Sequence, residues 1–452
     1  MALDFINLKM KNNEIVKPIY YLGAKNSFLN EIKVIIDSVR KKSGPVCDLF
    51  SGSGVVGNFL SQFYPVTTVD IQEYSRVISS ALFNSNQIDY EKIKSNIELI
   101  TFNEEFQEIY QCIRPLCEYE KKALENISDG NVKNIVEIVE SLPLVARNVL
   151  SKSGSLLDEL KHECYLRLTA KGLDLPQLTT TLRYFGGVYF SYYQAFVLDM
   201  ILRLSDNSDD YNKDFIKAIA LSTASSVVNT VGKQFAQPIR PRNKDGSIKN
   251  NLSSLISKDR NLDPIKIAIY WIEKYRTNQS PCFSSDALKM DYNVALDKYG
   301  REFSVVYADP PYTRDHYSRF YHVLETMSLR DEPSISTSTR LGIKELSRGF
   351  YREQRHQSPF CIRSLAPDAF KNLFSATSSY DIPLVLSYSP HEEGDGTHPR
   401  VVSTKRLTEL ASSYYPKVEV IPVDGITHNK FNKRDLELDK RSIAEIFIKC
   451  SF

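Results

Sequence analysis

Pro45-Val46-Cys47-Asp48-Leu49-Phe50-Ser51-Gly52-Ser53-Gly54, followed after a short gap by Val66-Thr67-Thr68-Val69-Asp70, is the stretch that decides the fold class. Its first six residues read as a short apolar strand. The glycine-rich turn that follows breaks the strand and opens a helix from Val55, and the second strand ends on an acid. Strand, turn, helix, strand and acid make the first half of a doubly wound α/β sheet. Gly52-x-Gly54-x-x-Gly57 lets the backbone turn sharply and brings a ligand close to main-chain N–H groups at a helix N-terminus. Asp70, closing the next strand, is placed to accept hydrogen bonds from both hydroxyls of a ribose. The pattern indicates a nucleoside-containing cofactor, and by itself it suits a nicotinamide dehydrogenase as well as an S-adenosylmethionine enzyme.

Upstream, Tyr20-Tyr21-Leu22-Gly23-Ala24-Lys25 leads into an amphipathic helix with Phe28, Leu29, Ile32, Ile35 and Ile36 on one face. Downstream the character changes. Residues 86–275 carry periodic charged and apolar runs (93–109, 135–150, 215–231) that predict helices, with few strand signals. The α/β pattern returns with the buried strand Phe303-Ser304-Val305-Val306-Tyr307-Ala308, which ends on Asp309-Pro310-Pro311-Tyr312. Further strands are expected at 383–388 and 444–448, while 313–365 and 390–402 read as polar and loop-like, apart from a helix through Leu329 to which Arg319, Tyr321 and His322 belong on one reading. The expected architecture is therefore an α/β unit with helices on both faces of its sheet, from residues 1–85 and 276–452, interrupted by a large, mostly helical insertion over 86–275.

Asp309-Pro310-Pro311-Tyr312 stands where open α/β sheets place their active sites. The Pro-Pro step can continue neither strand nor helix, so the chain is rigid there. The Asp309 carboxylate and the Pro310 carbonyl then form a fixed pair of acceptors for an amino group with two N–H bonds, and Tyr312 offers a flat face for a planar ring.

The chain has 452 residues, of which 42% are apolar and 25% charged, so a mostly disordered chain is excluded. One core rarely grows beyond about 250–300 residues, which again implies two units or one core with an insertion. The net charge of +2 leaves any nucleic-acid surface to a local patch. The basic stretch 233–260 (Lys233, Arg240, Arg242, Lys244, Lys249, Lys258, Arg260) is the candidate, against the reading that such runs are solvated surface. Seven scattered cysteines without a CxxC pair indicate a reducing cytoplasm and neither a disulfide framework nor a zinc site. No segment reads as a signal peptide or a membrane span; the most apolar run, 188–204, is broken by Gln194, Asp199 and Arg203. Tyr184, Phe185, Tyr189, Phe190, Tyr192 and Tyr193 are expected to pack a core rather than to stack bases.

Four pieces resemble, in order, the S-adenosylmethionine-dependent DNA adenine-N6 methyltransferases of the α group, the Dam-like class. Tyr21-Leu22-Gly23-Ala24-Lys25 is similar to that family's aromatic-x-Gly-Gly-Lys cofactor motif, with Tyr for Trp and Ala for the second Gly. Asp48-Leu49-Phe50-Ser51-Gly52-Ser53-Gly54 resembles its methionine-binding loop, Val69-Asp70-Ile71 its ribose-binding strand end, and Asp309 to Tyr312 its catalytic tetrapeptide. Phe283-Ser284-Ser285-Asp286 is similar to the segment that flanks the cofactor's adenine. The resemblance implies a Rossmann-like methyltransferase sheet, S-adenosylmethionine as cofactor, and transfer of a methyl group to N6 of an adenine flipped out of duplex DNA. It makes Asp309, Pro310, Pro311 and Tyr312 catalytic. Tyr21, Gly23, Lys25, Asp48, Phe50, Gly52, Gly54, Asp70, Ile71, Asp286 and Asp309 become cofactor-binding residues. The insertion takes the place of a target recognition domain, though no DNA-reading residue carries over; by charge alone, Arg314, His316 and Arg319 of the loop after the tetrapeptide join Lys233, Arg240, Arg242, Lys244 and Lys249 as candidate DNA contacts, against the reading of solvated surface. No metal is implied. The implied setting is cytoplasmic restriction–modification, as monomer or dimer, with or without a cognate endonuclease. Alternatives left open are methylation of cytosine N4, RNA or a glutamine side chain, a nicotinamide-dependent oxidoreductase, and a DNA-binding protein with a degenerate methylase core.

Overall fold

The computed structural model describes residues 15–127, 130–146, 154–278, 280–313, 316–340, 343–389, 400–424 and 443–452. Nine strands lie among them: β1 Val46–Leu49, β2 Val66–Asp70, β3 Asp286–Lys289, β4 Val305–Ala308, β5 Thr337–Arg340, β6 Ile343–Leu346, β7 Leu384–Tyr388, β8 Lys417–Asp424 and β9 Ile443–Ser451. Seven of these make one sheet in the order β3-β2-β1-β4-β7-β9-β8, and β5 and β6 form a separate antiparallel pair. β1 pairs in parallel with β2 on one side and β4 on the other. β3 and β7 extend the parallel part, and β9 runs antiparallel to both β7 and β8. The strand order reverses at β1, so a crevice opens at the carboxyl ends of β1 and β4.

Both sheet faces are covered, as expected for buried parallel strands. Successive residues point to opposite faces: Val46, Val305, Tyr307 and Val385 pack with Ile32, Ile36 and Leu60, while Cys47, Leu49, Val306 and Leu386 pack with Leu296, Phe370 and Phe374. The first layer includes helix α1 (Leu29–Val39), with Leu29, Ile32, Ile35 and Ile36 buried, and α2 (Val55–Leu60). The fold is a Rossmann-like methyltransferase sheet of mainly parallel strands between helices.

The 86–275 region is helical but shares a continuous apolar cluster with α3 (Glu73–Phe83): Val77, Ile78, Ala81 and Leu82 pack with Phe215, Ile219 and Tyr275, and with Val323 and Leu324. Tyr184, Phe185, Tyr189, Phe190 and Tyr192 are buried in that cluster, which is the core role expected for them. No helix among the described residues is long and apolar enough to cross a membrane.

Several expected boundaries move. The run 93–109 is two helices, Tyr90–Glu98 and Glu104–Ile127, because Asn103 accepts from the Phe106 N–H and restarts the chain. The 135–150 run stops as a helix at Glu140, ahead of Pro143, and 147–150 lie outside the described residues. Residues 313–365 are not simply loop. They contain the helix expected to run through Leu329, here the buried His322–Leu329, and also the β5–β6 pair, which the polar composition of the segment conceals. The 390–399 stretch lies outside the described residues.

Candidate active site

The glycine turn after β1 is built on left-handed backbone. Phe50 has φ 65°, Gly52 54° and Gly54 72°, and Gly54 stands at the N-terminus of α2. Asp70 holds this turn in place: one carboxylate oxygen accepts from the Gly52 N–H at 2.9 Å and the other from Gln72 N–H at 2.9 Å. Tyr21 presses on the turn from above, stacked on Tyr321 with ring centroids 4.8 Å apart. A Cβ on Gly52 would lie 2.3 Å from the Tyr21 hydroxyl oxygen. Gly52→Ala is therefore expected to combine about 1–2 kcal/mol of left-handed strain with displacement of Tyr21. Titration with S-adenosylhomocysteine should show at least about tenfold weaker binding, since 1.4 kcal/mol is a factor of ten.

The tetrapeptide follows β4, the strand beside β1. Lys25, only 4% exposed, places its ammonium 3.2 Å from an Asp309 carboxylate oxygen and 3.5 Å from a Glu445 oxygen. It also reaches the Tyr312 hydroxyl at 3.3 Å and lies 5.4 Å from that ring's centroid. Tyr312 packs on Tyr388 at 5.0 Å, and Glu445 accepts from the Ser387 hydroxyl at 3.1 Å. Four segments thus converge: the N-terminal motif, the end of β4, β7 and β9.

Burial dominates the titration of these groups. It raises the Asp309 carboxyl above the usual carboxylate range, while the Lys25 charge works the other way. Burial pushes Glu445 up to about 7, again opposed by Lys25. For Lys25 itself burial disfavours the charge, but Asp309 and Glu445 overcome it and hold the amine well above its ordinary value. Asp48 is driven up by burial, then by the nearby Asp309, and one of its oxygens has no hydrogen-bond partner among the described residues.

These parts line one cleft of about 1170 Å³, its open mouth included. Tyr21, Gly23, Lys25, Asp48, Phe50, Asp70, Ile71 and Asp309 to Tyr312 all face it. Gly52 and Gly54 are not among its lining residues; their neighbours Ser51, Ser53 and Val55 are. Asp48, Asp70, Asp291 and Asp309 face the cleft around the Lys25 ammonium, which Glu445 also contacts, so acidic side chains outnumber that cation there. Such a cleft fits a cofactor carrying a sulfonium and an ammonium, and the unpartnered Asp48 oxygen supplies one acceptor for it.

Not every expected site residue comes here. Asp286 is exposed at the start of β3, paired with Thr67 at the amino end of β2, so it points to the wrong end of the sheet to meet the cleft. Met290, Asp291 and Tyr292, just past the end of β3, line the cleft instead. An acid directly after a strand, as at Asp70, was the available signal. Glu445 was also missed; a charged residue inside the apolar run Ile446-Phe447-Ile448 was its trace. Tyr317, His356 and Phe360 complete the lining.

The expected DNA contacts separate. His316 lines the cleft, and Arg319 follows it on the helix Tyr317–Phe320. Arg314 lies outside the described residues. Lys233 turns inward, 2.7 Å from Asp259 and bonded to the carbonyls of Ser226 and Val228. Arg242 pairs with Glu140 at 2.9 Å; Arg240 and Lys244 are exposed and Lys249 is half-buried.

The profile of the family described as D12 class N6 adenine-specific DNA methyltransferase matches residues 21–154 and 269–383. These two stretches hold the N-terminal motif, the glycine turn, Asp70 and the tetrapeptide. The chain is 24% identical over 418 residues to the modification methylase LlaI of Lactococcus lactis subsp. lactis, covering 91% of this chain and 50% of that protein. It is 21% identical over 433 residues to the modification methylase StsI of Streptococcus sanguinis, covering 94% and 51%. The chain therefore spans about half the length of the curated relatives it matches. With more than half of its residues inside the family profile, the chain belongs to the D12 class N6 adenine-specific DNA methyltransferases.

Proposed function

We propose that this chain methylates N6 of an adenine extruded from duplex DNA, using S-adenosylmethionine, as the modification activity of a restriction–modification system in the cytoplasm. The observation that carries this is the position of Asp309: it leaves β4 at the point where the strand order reverses, in the same cleft as the glycine turn and Asp70. Bound S-adenosylmethionine would supply an electrophilic methyl group on sulfur. Asp70 would accept from the ribose hydroxyls, and the Phe50–Gly54 turn and Asp48 would hold the methionine part.

The N6 amine is a weak nucleophile because its lone pair is delocalised into the purine. Asp309 carboxylate and Pro310 carbonyl would accept its two N–H bonds, orient the lone pair and stabilise the positive charge that develops on nitrogen. No covalent enzyme intermediate is required. Extrusion of the base costs a few kcal/mol, which stacking on Tyr312 would partly offset. Residues 86–275 would act as the target recognition domain, with a cognate endonuclease as partner in the cell.

DNA from cells expressing the chain tests this directly. Sequencing that detects modified bases should find N6-methyladenine at one recurring sequence, absent when Asp309→Ala is expressed. Unmodified adenines in vivo, together with no transfer of labelled methyl to any duplex by purified protein, would refute it.

A further inference from the structure

Arg319 and Arg355 flank one aromatic ring, and Arg348 precedes that ring by three residues in the chain. The Arg319 guanidinium carbon lies 4.9 Å from the Tyr351 centroid and that of Arg355 5.6 Å from it. Arg348, three residues before Tyr351, donates to the Ile239 carbonyl at 3.2 Å, beside Arg240. Tyr351 itself donates to the Ala236 carbonyl, which pins the 347–356 stretch to residues 235–240. Like charges this close raise one another's energy. Burial, and after it Arg240, lowers the pKa of Arg348; burial and Arg319 do the same to Arg355. Among the described residues none of these four arginines has a carboxylate within salt-bridge distance, and Arg355 Nε is buried without a hydrogen-bond partner. The arginines that do have carboxylates, such as Arg352 on Asp331 and Arg330 on Asp206, are spent on the fold.

The cluster adjoins the cleft. The Arg319 N–H bonds to the His316 carbonyl, Arg355 precedes His356, and both histidines line the cleft. In the 233–260 stretch, in contrast, three cations are already paired: Lys233 on Asp259 within it, Arg242 on Glu140 and Arg260 on Glu120 from the preceding helices. We propose that Arg319, Arg348 and Arg355, with Arg240 beside them, form the surface that binds the phosphodiester backbone of the duplex next to the extruded base. Arginine suits this role because its planar fork grips phosphate oxygens bidentately while its face stacks on Tyr351. The proposal rests on DNA being the substrate and adds where the duplex lies.

The test is binding of a labelled duplex across a salt series, in the presence of S-adenosylhomocysteine. Each phosphate contact contributes about 0.9 to the slope of log K against log salt. Replacing Arg319, Arg348 and Arg355 together by Gln should flatten the slope by about 2–3 and weaken binding more than about tenfold at moderate salt. The same three positions changed to Lys should keep most of the slope. Lys244→Glu with Lys249→Glu should alter it less than the arginine triple does. Unchanged binding of S-adenosylhomocysteine by calorimetry shows that the variants are folded, and the single Arg→Gln variants, each expected to flatten the slope by about 0.9, serve if the triple is not. An unchanged slope in the folded variants overturns this surface alone. A wild-type chain with no salt-dependent affinity for duplex DNA overturns the parent proposal as well.

Discussion

Asp309→Ala is expected to lower single-turnover methyl transfer by at least about 10²–10³-fold, the loss typical when one fixed electrostatic partner of a transition state is removed. Binding of S-adenosylhomocysteine should weaken by less than about tenfold, because in the proposed arrangement the glycine turn, Asp70 and Asp48 would hold most of that ligand, and the hydrogen bonds that fix the turn do not involve Asp309. The fold should survive: Lys25 keeps Glu445 and the Tyr312 hydroxyl as partners after the carboxylate is lost. Asp309→Asn separates shape from charge. It preserves packing but replaces a two-oxygen acceptor with an amide that can turn an N–H toward the amine, so it should recover little of the rate. Single-turnover rates alongside calorimetric titration decide the matter. A variant that retains wild-type transfer, or one whose cofactor affinity collapses in parallel with its rate, would remove Asp309 from the chemical step.

Much of this site was readable before the fold was known, because its parts are local. Three adjacent small residues, a strand that stops on an acid and a Pro-Pro step each impose their geometry within a few residues, and each lies where that geometry requires. What stayed hidden depends on contacts distant in sequence. Glu445 meets Lys25 across 420 residues, and no periodicity marks that encounter. Arg348 and Arg355 sit in a polar stretch that resembles loop, and their meaning comes from Tyr351 and from the helix carrying Arg319. Asp286 misled because strand β3 is short and its sequence, Asp286-Ala287-Leu288-Lys289, begins with an acid that faces the wrong end of the sheet. The charge count of 233–260 misled differently: Lys233 is consumed by Asp259 of the same stretch, and Arg260 by the buried Glu120 of a distant helix.

Lys25→Met should produce the second large effect, and it should do so through proton occupancy. Lys25 is the ammonium between the half-buried Asp309 and the buried Glu445, two carboxyls whose pKa values burial already raises. Without it, each carboxylate loses an opposing charge and still faces the other, so Asp309 climbs further and a larger share of it is protonated at any given pH. A protonated Asp309 keeps one acceptor oxygen but has lost the negative charge that would stabilise the positive charge developing on nitrogen. Transfer should therefore fall by about 10²-fold or more at pH 7, as when a transition-state partner is lost. It should recover as pH rises, because the ionised fraction grows through the elevated pKa. Stability runs the opposite way. Both carboxyls titrate above their unfolded values, so the folded chain binds more protons than the unfolded one between about pH 4 and the folded pKa values, and stability drops as pH increases through that window. The penalty of an unpaired buried charge, about 3–5 kcal/mol, would be felt at the alkaline end, where protonation no longer relieves it. Lys25→Met with Glu445→Gln should then be more active at pH 7 than Lys25→Met alone, since removing the Glu445 charge lets Asp309 ionise at lower pH. That sign of non-additivity is the discriminating result. A pH–rate profile for Lys25→Met parallel to wild type, with the double variant simply worse, would mean that Lys25 acts by packing and not by fixing the charge on Asp309.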